Sequence, residues 1–225
     1  MNARQRREGY GIAVHVWGEY ACFTRPEMKV ERVSYDVPTP SAARGILESI
    51  LWKPAIEWRV RMIEVLKPIR WATIRRNEVG SQGSWKLARQ AMNQGRLAEG
   101  ITVEEVRQQR AALVLRDVAY VIHAEFLMTE RAGPDDNEGK FLDMFRRRVE
   151  KGQCYRRPYL GTREFAAHFG PVPEEYEAIQ EVRDLGWMFY DFDYSTKPPG
   201  DRFFRAELRN GRIEVPPAVS REVRS

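Results

Sequence analysis

The spacing of apolar residues predicts several strands along the chain. Residues 11–17 alternate between apolar and polar positions and are rich in β-branched side chains, which indicates a strand. Residues 58–70 predict a long strand that runs into the basic pair at 75–76, and residues 113–128 alternate again. Residues 80–110 are polar and weakly patterned, which is typical of a functional insertion or a mobile loop.

Two other segments carry the period of a helix. The first begins at Thr39, which can cap a helix, and Pro40, which suits the first helical position. The second covers Asn137–Lys151. In each segment, apolar residues three and four apart form a stripe that must face the core. The first stripe is Ala43, Ile46, Leu47 and Ile50, and the second is Phe141, Leu142, Phe145 and Val149.

The C-terminal third favours strands and turns. Residues 185–194 predict an aromatic strand, and residues 202–217 predict a hairpin around Asn210-Gly211. The order β-α-β-β-α, with a further strand following, predicts an α+β fold with a ferredoxin-like, RNA-recognition-type domain. We place this domain at 1–165, with its insertion at about 80–110, and a small C-terminal antiparallel β-sheet extension at 166–225.

Composition and charge narrow the class of protein. No run of apolar residues is long enough to span a membrane, and the basic segment 1–9 lacks the apolar stretch of a secretory signal. Two cysteines in 225 residues are too few for a disulfide framework and fit a cytoplasmic location. The net charge is +5, and arginines cluster in pairs and triplets, which suits a polyanionic partner as well as a merely solvated surface.

The glycine-rich segment 133–141 resembles a phosphate-binding P-loop but fails as one. Five residues separate its glycines instead of four, and Phe141 stands where a Ser or Thr must reach magnesium. The acidic residues Asp135, Asp136 and Glu138 are better explained as helix-start acids than as metal ligands. We therefore expect neither a nucleotide cofactor nor a metal.

Lys140 stands at the start of the second helix, where a cation opposes the helix dipole. Lys140, Arg147 and Lys151 fall on the side opposite the apolar stripe, and free backbone N–H groups at a helix start also favour an anion. The row predicts phosphate contact. Its alternatives are a solvated helix face and simple local pairing of Lys140 with Asp136 or Glu138. Phe141 is predicted to be a packing residue.

A histidine on the strand at 113–128 is a second candidate for chemistry. His123 and Glu125 are two apart and therefore point the same way, as a catalytic acid–base pair would. A histidine in a strand is more often structural, so both interpretations stay open.

Several stretches together resemble one family, the repeat-processing ribonucleases of type I-C CRISPR systems, which belong to the RAMP superfamily. The resemblance runs nearly from end to end, and its first stretch is long enough to be specific. The stretches are residues 17–54, which end in W-K-P, R-R-N-E (75–78), L-R-D-V-A-Y-V-I (115–122), N-E-G-K (137–140), F-R-R-R (145–148) and L-G-T-R-E-F (160–165).

This resemblance implies metal-independent cleavage of precursor CRISPR RNA within its repeats, by attack of a ribose 2′-hydroxyl on the adjacent phosphate. The protein would then keep the 5′ handle of the product and join the RNA-guided surveillance complex, Cascade. The family's proposed catalytic groups are a tyrosine just before W-K-P and a Lys-His pair. Lys140 matches the lysine, whereas Leu51 and Phe141 stand at the tyrosine and histidine positions.

Three explanations of this departure remain. Other groups supply the base and the acid, with His123, Tyr155 and Tyr159 as candidates, or cleavage is slow and driven by Lys140 and by strain in the bound RNA. Alternatively, cleavage is lost and the protein is a non-catalytic handle-binding subunit. A generic binder of RNA or duplex DNA is a weaker alternative. The residues expected to contact the RNA backbone are Arg25, Lys29, Arg32, Arg44, Arg75, Arg76, Arg147 and Lys151.

Overall fold

A computed structural model of the chain describes residues 11–97 and 100–224. The basic segment 1–9 and residues 98 and 99 of the predicted insertion lie outside the described residues. Within the described ranges, no helix is long and apolar enough to cross a membrane.

Strands outnumber helices in the described chain. The elements follow in the order β1 (Ile12–Ala21), α1 (Pro40–Ile50), β2 (Ile56–Val65), β3 (Trp71–Val79), α2 (Trp85–Asn93), α3 (Val103–Val106), β4 (Arg107–Met128), α4 (Glu138–Lys151), β5 (His168–Gly170), β6 (Arg183–Asp193), β7 (Gly200–Leu208), β8 (Arg212–Glu214) and β9 (Val223–Arg224).

The main sheet has six strands, with the order β5-β1-β4-β2-β8 and with β3 also paired to β4. Every pairing in it is antiparallel. β2 and β3 pair with consecutive lengths of β4, since Val65 lies opposite Tyr120 and Trp71 lies opposite Leu115. The predicted single strand at 58–70 is therefore wrong. Pro68, which has no N–H to donate, lies in the break between the two strands.

The two predicted helices are confirmed and pack on one face of the main sheet. Thr39 caps α1, since its Oγ1 accepts a hydrogen bond from the Ala42 N–H at 3.2 Å. α4 begins after Asn137 and ends at Gly152, whose φ of 63° suits glycine. The stripe of α1 is fully buried, and so are Phe141, Phe145 and Val149 of α4. Both stripes join one hydrophobic core with residues of β1, β2 and β4.

A second sheet has three strands in the order β6-β7-β9. The predicted hairpin turn is present, because Asn210 and Gly211 have φ of 49° and 72°, as a tight two-residue turn requires. The strand after the turn, β8, nevertheless pairs with β2 in the main sheet. β5 pairs with β1 in the same sheet. The predicted boundary at residue 165 therefore does not coincide with the division between the sheets. The chain is a mixed α/β protein with antiparallel sheets.

The arm is the name we give to β3, residues 107–115 of β4 and the described part of the chain between them. Arg75 lies opposite Ala111 and Val79 opposite Arg107, so the two strands form a ribbon. Between these strands, the predicted insertion contains the helices α2 and α3.

Candidate active site

Lys140 lies in the first turn of α4, on a capped helix start. Its backbone N–H donates to Asn137 Oδ1 at 2.9 Å, and its Nζ donates to Asp136 Oδ1 at 2.9 Å. The lysine side chain is 46% exposed. The Gly133 N–H and the Lys140 ammonium hold the pKa of Asp136 below its usual range. Since an exposed pair of this kind is weak, Lys140 can exchange Asp136 for an incoming anion.

The two positions that depart from the catalytic pattern are deeply buried. Leu51 is 0% exposed and Phe141 is 2% exposed. Phe141 packs edge-on against Phe126, with ring centroids 6.4 Å apart, which confirms that it is a packing residue. The Leu51 carbonyl accepts a hydrogen bond from Trp58 Nε1 at 2.9 Å. Neither side chain can exchange a proton with a substrate.

Two hydrogen bonds join the segment before α4 to the segment after α1. The Thr129 N–H donates to the Ala55 carbonyl at 2.9 Å, and the Thr129 hydroxyl donates to the Pro54 carbonyl at 2.6 Å. The W-K-P motif is thereby held beside the turn that leads into Lys140.

Two residues of this motif were not singled out from the sequence. Trp52 is 53% exposed, which is unusual for a tryptophan. Lys53 adds a smaller lowering effect on the pKa of Asp136, after those of the Gly133 N–H and Lys140. A second ammonium thus lies near the ion pair of Lys140, and an exposed indole precedes it in the chain. The W-K-P stretch of the resemblance was the signal that could have identified them.

Tyr155 and Tyr159 both follow α4 in the sequence and lie beside α1 in the structure. The backbone N–H of Tyr155 donates to the Ser49 carbonyl at 2.9 Å, and the ring is 68% exposed. Tyr159 is half-buried and lines a cavity against α1. The described hydrogen bonds of Lys140 go to Asn137 and Asp136, so neither tyrosine is bonded to the lysine.

His123 lies in a buried polar cluster on the other face of the main sheet. Its neighbours Ile122 and Ala124 point into the core with α4, so His123 points away from it. His123 Nε2 lies 2.9 Å from Glu64 Oε2, and both side chains are almost fully buried. Glu125 lies 3.7 Å from Arg61 instead. The structure thus pairs His123 with Glu64 and does not bring it to Lys140.

Glu64 reaches His123 because of a β-bulge. The register of β2 against β4 shifts between Val60 and Met62, and the extra residue turns Glu64 out of the core. Its carboxylate accepts from Tyr176 Oη at 2.6 Å and from Arg212 Nε at 2.7 Å. Burial by itself would raise the pKa of Glu64, but the hydrogen bonds from His123, Tyr176 and Arg212 lower it to about 2.

Several of the expected RNA-contacting arginines already have acidic partners. Arg44 bonds Asp191 with two nitrogens, Nε at 3.0 Å and Nη2 at 2.9 Å, and reaches Glu48 at 2.6 Å. These partners overcome the effect of burial and raise the pKa of Arg44. Arg25 lies 3.4 Å from Asp36.

A second set of paired arginines joins the arm to the body. Arg32 lies 3.1 Å from Glu164 and 3.6 Å from Glu78, and Arg76 contacts the same two carboxylates. We call these four residues the arm cluster. It joins β3 to two loops of the body.

The remaining expected contacts are exposed and have no acidic partner in the part of the chain that the structure describes. They are Lys29, Arg75, Arg147 and Lys151. In the same described ranges, no three His, Cys, Asp or Glu side chains lie together as metal ligands would.

The sequence profile of the Cas5d type, described as CRISPR-associated protein (Cas_Cas5), matches residues 11–216. The chain belongs to the Cas5d family. The family predicted from the sequence is therefore confirmed.

Two relatives of this Cas5d chain carry the name CRISPR pre-crRNA endoribonuclease Cas5d. The protein of Mannheimia succiniciproducens is 54% identical over 223 residues, covering 95% of this chain and 98% of the relative. That of Thermus thermophilus is 44% identical, covering 91% of both chains. A solved structure titled "Crystal Structure of CRISPR-associated Protein" is 24% identical and covers 95% of both chains, with a TM-score of 0.67, which supports the fold alone.

Membership of the Cas5d family sharpens the departure at the site. Of the three catalytic groups that the resemblance implies, this chain presents Lys140 at the surface, and it buries apolar side chains at the other two positions, Leu51 and Phe141.

Proposed function

We propose that the protein cuts precursor CRISPR RNA within its repeats and keeps the 5′ handle as a subunit of Cascade. The observation that carries the proposal is the 54% identity, over 95% of the chain, to a pre-crRNA endoribonuclease. Such work takes place in the cytoplasm, so the expected location is part of the proposal. Metal independence also stays a prediction.

The reaction that we propose is an attack of the 2′-hydroxyl on the adjacent phosphorus. A new P–O2′ bond forms, the P–O5′ bond breaks, and the products end in a 2′,3′-cyclic phosphate and a 5′-hydroxyl. A base must take the 2′ proton, and an acid must give a proton to the leaving O5′. We propose that Lys140 stabilises the charge that develops on the phosphate oxygens, since its ammonium is exposed and its only described ion pair is exchangeable.

We propose that the tyrosines, rather than the histidine, supply the base and the acid. Tyr155 is exposed and lies against the C-terminal part of α1, two residues from Leu51. Tyr159 lies on the same side of α1. His123 is buried against Glu64 on the opposite face of the sheet, so we propose that its role is structural.

We propose that the exposed cations make the main contacts with the RNA backbone. Arg147 and Lys151 extend the row that begins at Lys140, while Lys29 and Arg75 lie elsewhere on the surface. Arg25, Arg32, Arg44 and Arg76 would have to exchange an acidic partner for a phosphate, which weakens their net contribution.

We further propose that the main sheet contains the ferredoxin-like domain. The strand order β5-β1-β4-β2, with α1 between β1 and β2 and α4 between β4 and β5, supports this topology. β5 would be its fourth strand, so the domain would reach residue 170 rather than 165. The insertion at 80–110 and the C-terminal extension remain parts of the proposal.

The alternative is a handle-binding Cascade subunit that does not cut. The specific observation in its favour is that the positions of the family's tyrosine and histidine hold buried apolar residues, Leu51 and Phe141.

The deciding experiment incubates the purified protein with repeat RNA in EDTA. We expect cutting at one site, with a 2′,3′-cyclic end, and no cutting when that nucleotide is 2′-deoxy. Lys140→Ala should lower the single-turnover rate about a hundredfold to a thousandfold, as the loss of one charge-stabilising donor does. Lys86→Ala is the matched control, since it removes an exposed lysine of α2 to which we assign no RNA contact, and it should cut at the normal rate at saturating protein.

Selective, tight binding to intact RNA would support the handle-binding alternative and overturn the nuclease. Equal affinity for unrelated duplex DNA at physiological salt would overturn both roles in favour of a generic binder.

A further inference from the structure

A cavity of about 380 Å³ lies beside α1, between the helix, the loop at 159–161 and strand β6. Ser41, Gly45 and Ser49 line it from the helix, and because they are four residues apart they share one helix face. Small side chains leave this face hollow. The volume falls within the range of sites for small organic groups.

The wall opposite α1 is aromatic. Phe189 and Phe192 are three residues apart and would point to opposite faces of a regular strand. The register of β6 against β7 shifts between Phe189 and Asp191, and this bulge brings the two rings together, with centroids 4.9 Å apart. Phe192 is 45% exposed, and Tyr159 adds a third ring to the lining. These rings offer a surface on which a flat group can stack.

The polar groups of the cavity are hydroxyls, and every described residue that lines it is uncharged. Thr39 Oγ1 and Ser41 Oγ lie 3.1 Å apart, and Ser49 Oγ donates to the Gly45 carbonyl at 2.7 Å. A hydroxyl can both donate and accept, which suits the mixed polar edge of a heterocycle. An uncharged lining does not suit a phosphate.

The cavity lies on the same side of α1 as the tyrosines proposed for the base and the acid. Gly45 and Leu51 are six positions apart, or about 9 Å along the helix axis. The Ser49 carbonyl accepts the N–H groups of Tyr155 and Arg156, and Arg156 Nε lies 3.4 Å from Ser49 Oγ. A cation therefore borders the cavity at the end nearer Leu51, where the backbone of a bound strand would pass.

We infer that this cavity binds one unpaired nucleobase of the repeat RNA, beside the proposed catalytic residues Tyr155 and Tyr159. The ring of the base stacks on the aromatic wall, and its polar edge meets the hydroxyls. This inference rests on the proposed function and adds to it a means of fixing the register of the RNA at the cut.

Gly45 allows a test that spares the fold. A Cβ at this position would meet no atom within 4 Å, and alanine and leucine both favour a helix more than glycine does. Gly45→Leu should therefore fill the cavity, whereas Gly45→Ala adds only a methyl group and serves as the matched control. Binding is measured with repeat RNA that carries a 2′-deoxy nucleotide at the cut site, so that cleavage does not intervene.

We expect Gly45→Leu to weaken binding about fivefold to a hundredfold, the range for loss of one stacked base, and Gly45→Ala to bind nearly as the wild type does. One abasic position in the RNA should weaken wild-type binding to a similar extent. Gly45→Leu should bind the abasic RNA with the same affinity as the intact RNA, because the two changes remove the same interaction. Phe192→Ala removes a partly exposed ring and should weaken RNA binding in the same way. If Gly45→Leu unfolds at a lower temperature than the wild type, Phe192→Ala replaces it as the test.

Unchanged RNA affinity of a folded Gly45→Leu protein would overturn the inference. It would also be overturned if, at every abasic position, the loss of affinity from the RNA simply added to the loss from Gly45→Leu. Selective binding of repeat RNA would survive either result, so the proposed function would stand. A protein that does not distinguish repeat RNA from unrelated RNA would instead refute the proposed function itself.

Discussion

The start of α4 and the opposite face of the main sheet both pair a cationic or titratable side chain with a carboxylate, yet they do so under opposite conditions. Lys140 and Asp136 are four residues apart in the sequence, their ion pair is exposed, and the carboxylate of Asp136 also accepts a hydrogen bond from the Gly133 N–H. His123 and Glu64 come from different strands and are buried with Arg212 and Tyr176 around them. The first pair is available to a ligand, whereas the second is committed to the fold.

The largest effect that separates the two regions should appear in stability. Glu64→Ala leaves His123 and Arg212 without their shared carboxylate, and breaking a buried pair costs about 3–5 kcal/mol. Lys140→Ala should leave the free energy of unfolding unchanged, since its pair is exposed. Urea unfolding of both variants measures this. Equal free energies of unfolding for the two variants would contradict this difference between the buried pair and the exposed pair.

Acid should also destabilise the buried region around Glu64. The pKa of Glu64 falls from 4.5 to about 2 on folding, so its contribution is fully present above pH 4.5 and is lost as the pH falls towards 2. The difference corresponds to roughly 3 kcal/mol. The stability of the wild type should therefore fall more steeply between pH 4.5 and 2 than that of Glu64→Gln. Parallel pH profiles of the two proteins would contradict this assignment.

A smaller effect should separate available from committed arginines in RNA binding. Arg147 is exposed without a described acidic partner, so Arg147→Ala should reduce the slope of log affinity against log salt by about 0.7 for a single-stranded region. Arg44 bonds Asp191 and Glu48, so Arg44→Ala should lower stability and leave the slope unchanged. Binding titrations at several salt concentrations provide the comparison. A reduced slope for Arg44→Ala would place Arg44 on the RNA.

The smallest expected effect concerns the partner of Lys140. Asp136→Asn removes the local competitor for the ammonium and a negative charge near the RNA, so affinity for uncleaved repeat RNA should rise about twofold to fivefold. Glu138→Gln, two residues before Lys140, is the matched control, because Glu138 makes no described bond to the lysine. A similar gain for both variants would mean that net charge, rather than release of Lys140, is responsible.

Local signals explain what could be predicted from the sequence. Thr39 caps α1 as its position in the sequence indicates, α4 begins within one residue of its predicted start, and the apolar periodicity identified the buried faces. The exposed position of Lys140 also follows from this periodicity. Each of these features depends on residues within one or two turns of helix.

Features that depend on pairing between strands could not be predicted in the same way. Without the extra residue at the bulge in β2, Glu64 would share the core face of Trp58, and only the register shift turns it towards His123. The bulge in β6 that joins Phe189 to Phe192 is of the same kind. The predicted strand at 58–70 was wrong because β2 ends at Val65 and residues 66–70 are not in a strand, although β2 and the next strand, β3, pair with the same edge of β4.

The arm cluster has a mechanical consequence. The first residues of β3 pack against a small apolar core, so this part of the ribbon is held by burial. Further along the strand, Arg76 and Glu78 are tied to Arg32 and Glu164, in two loops of the body, by partly exposed ion pairs. Dissolved ions screen such pairs. The hold of the body on this outer part of the ribbon is therefore electrostatic, and it weakens as the ionic strength of the surroundings rises.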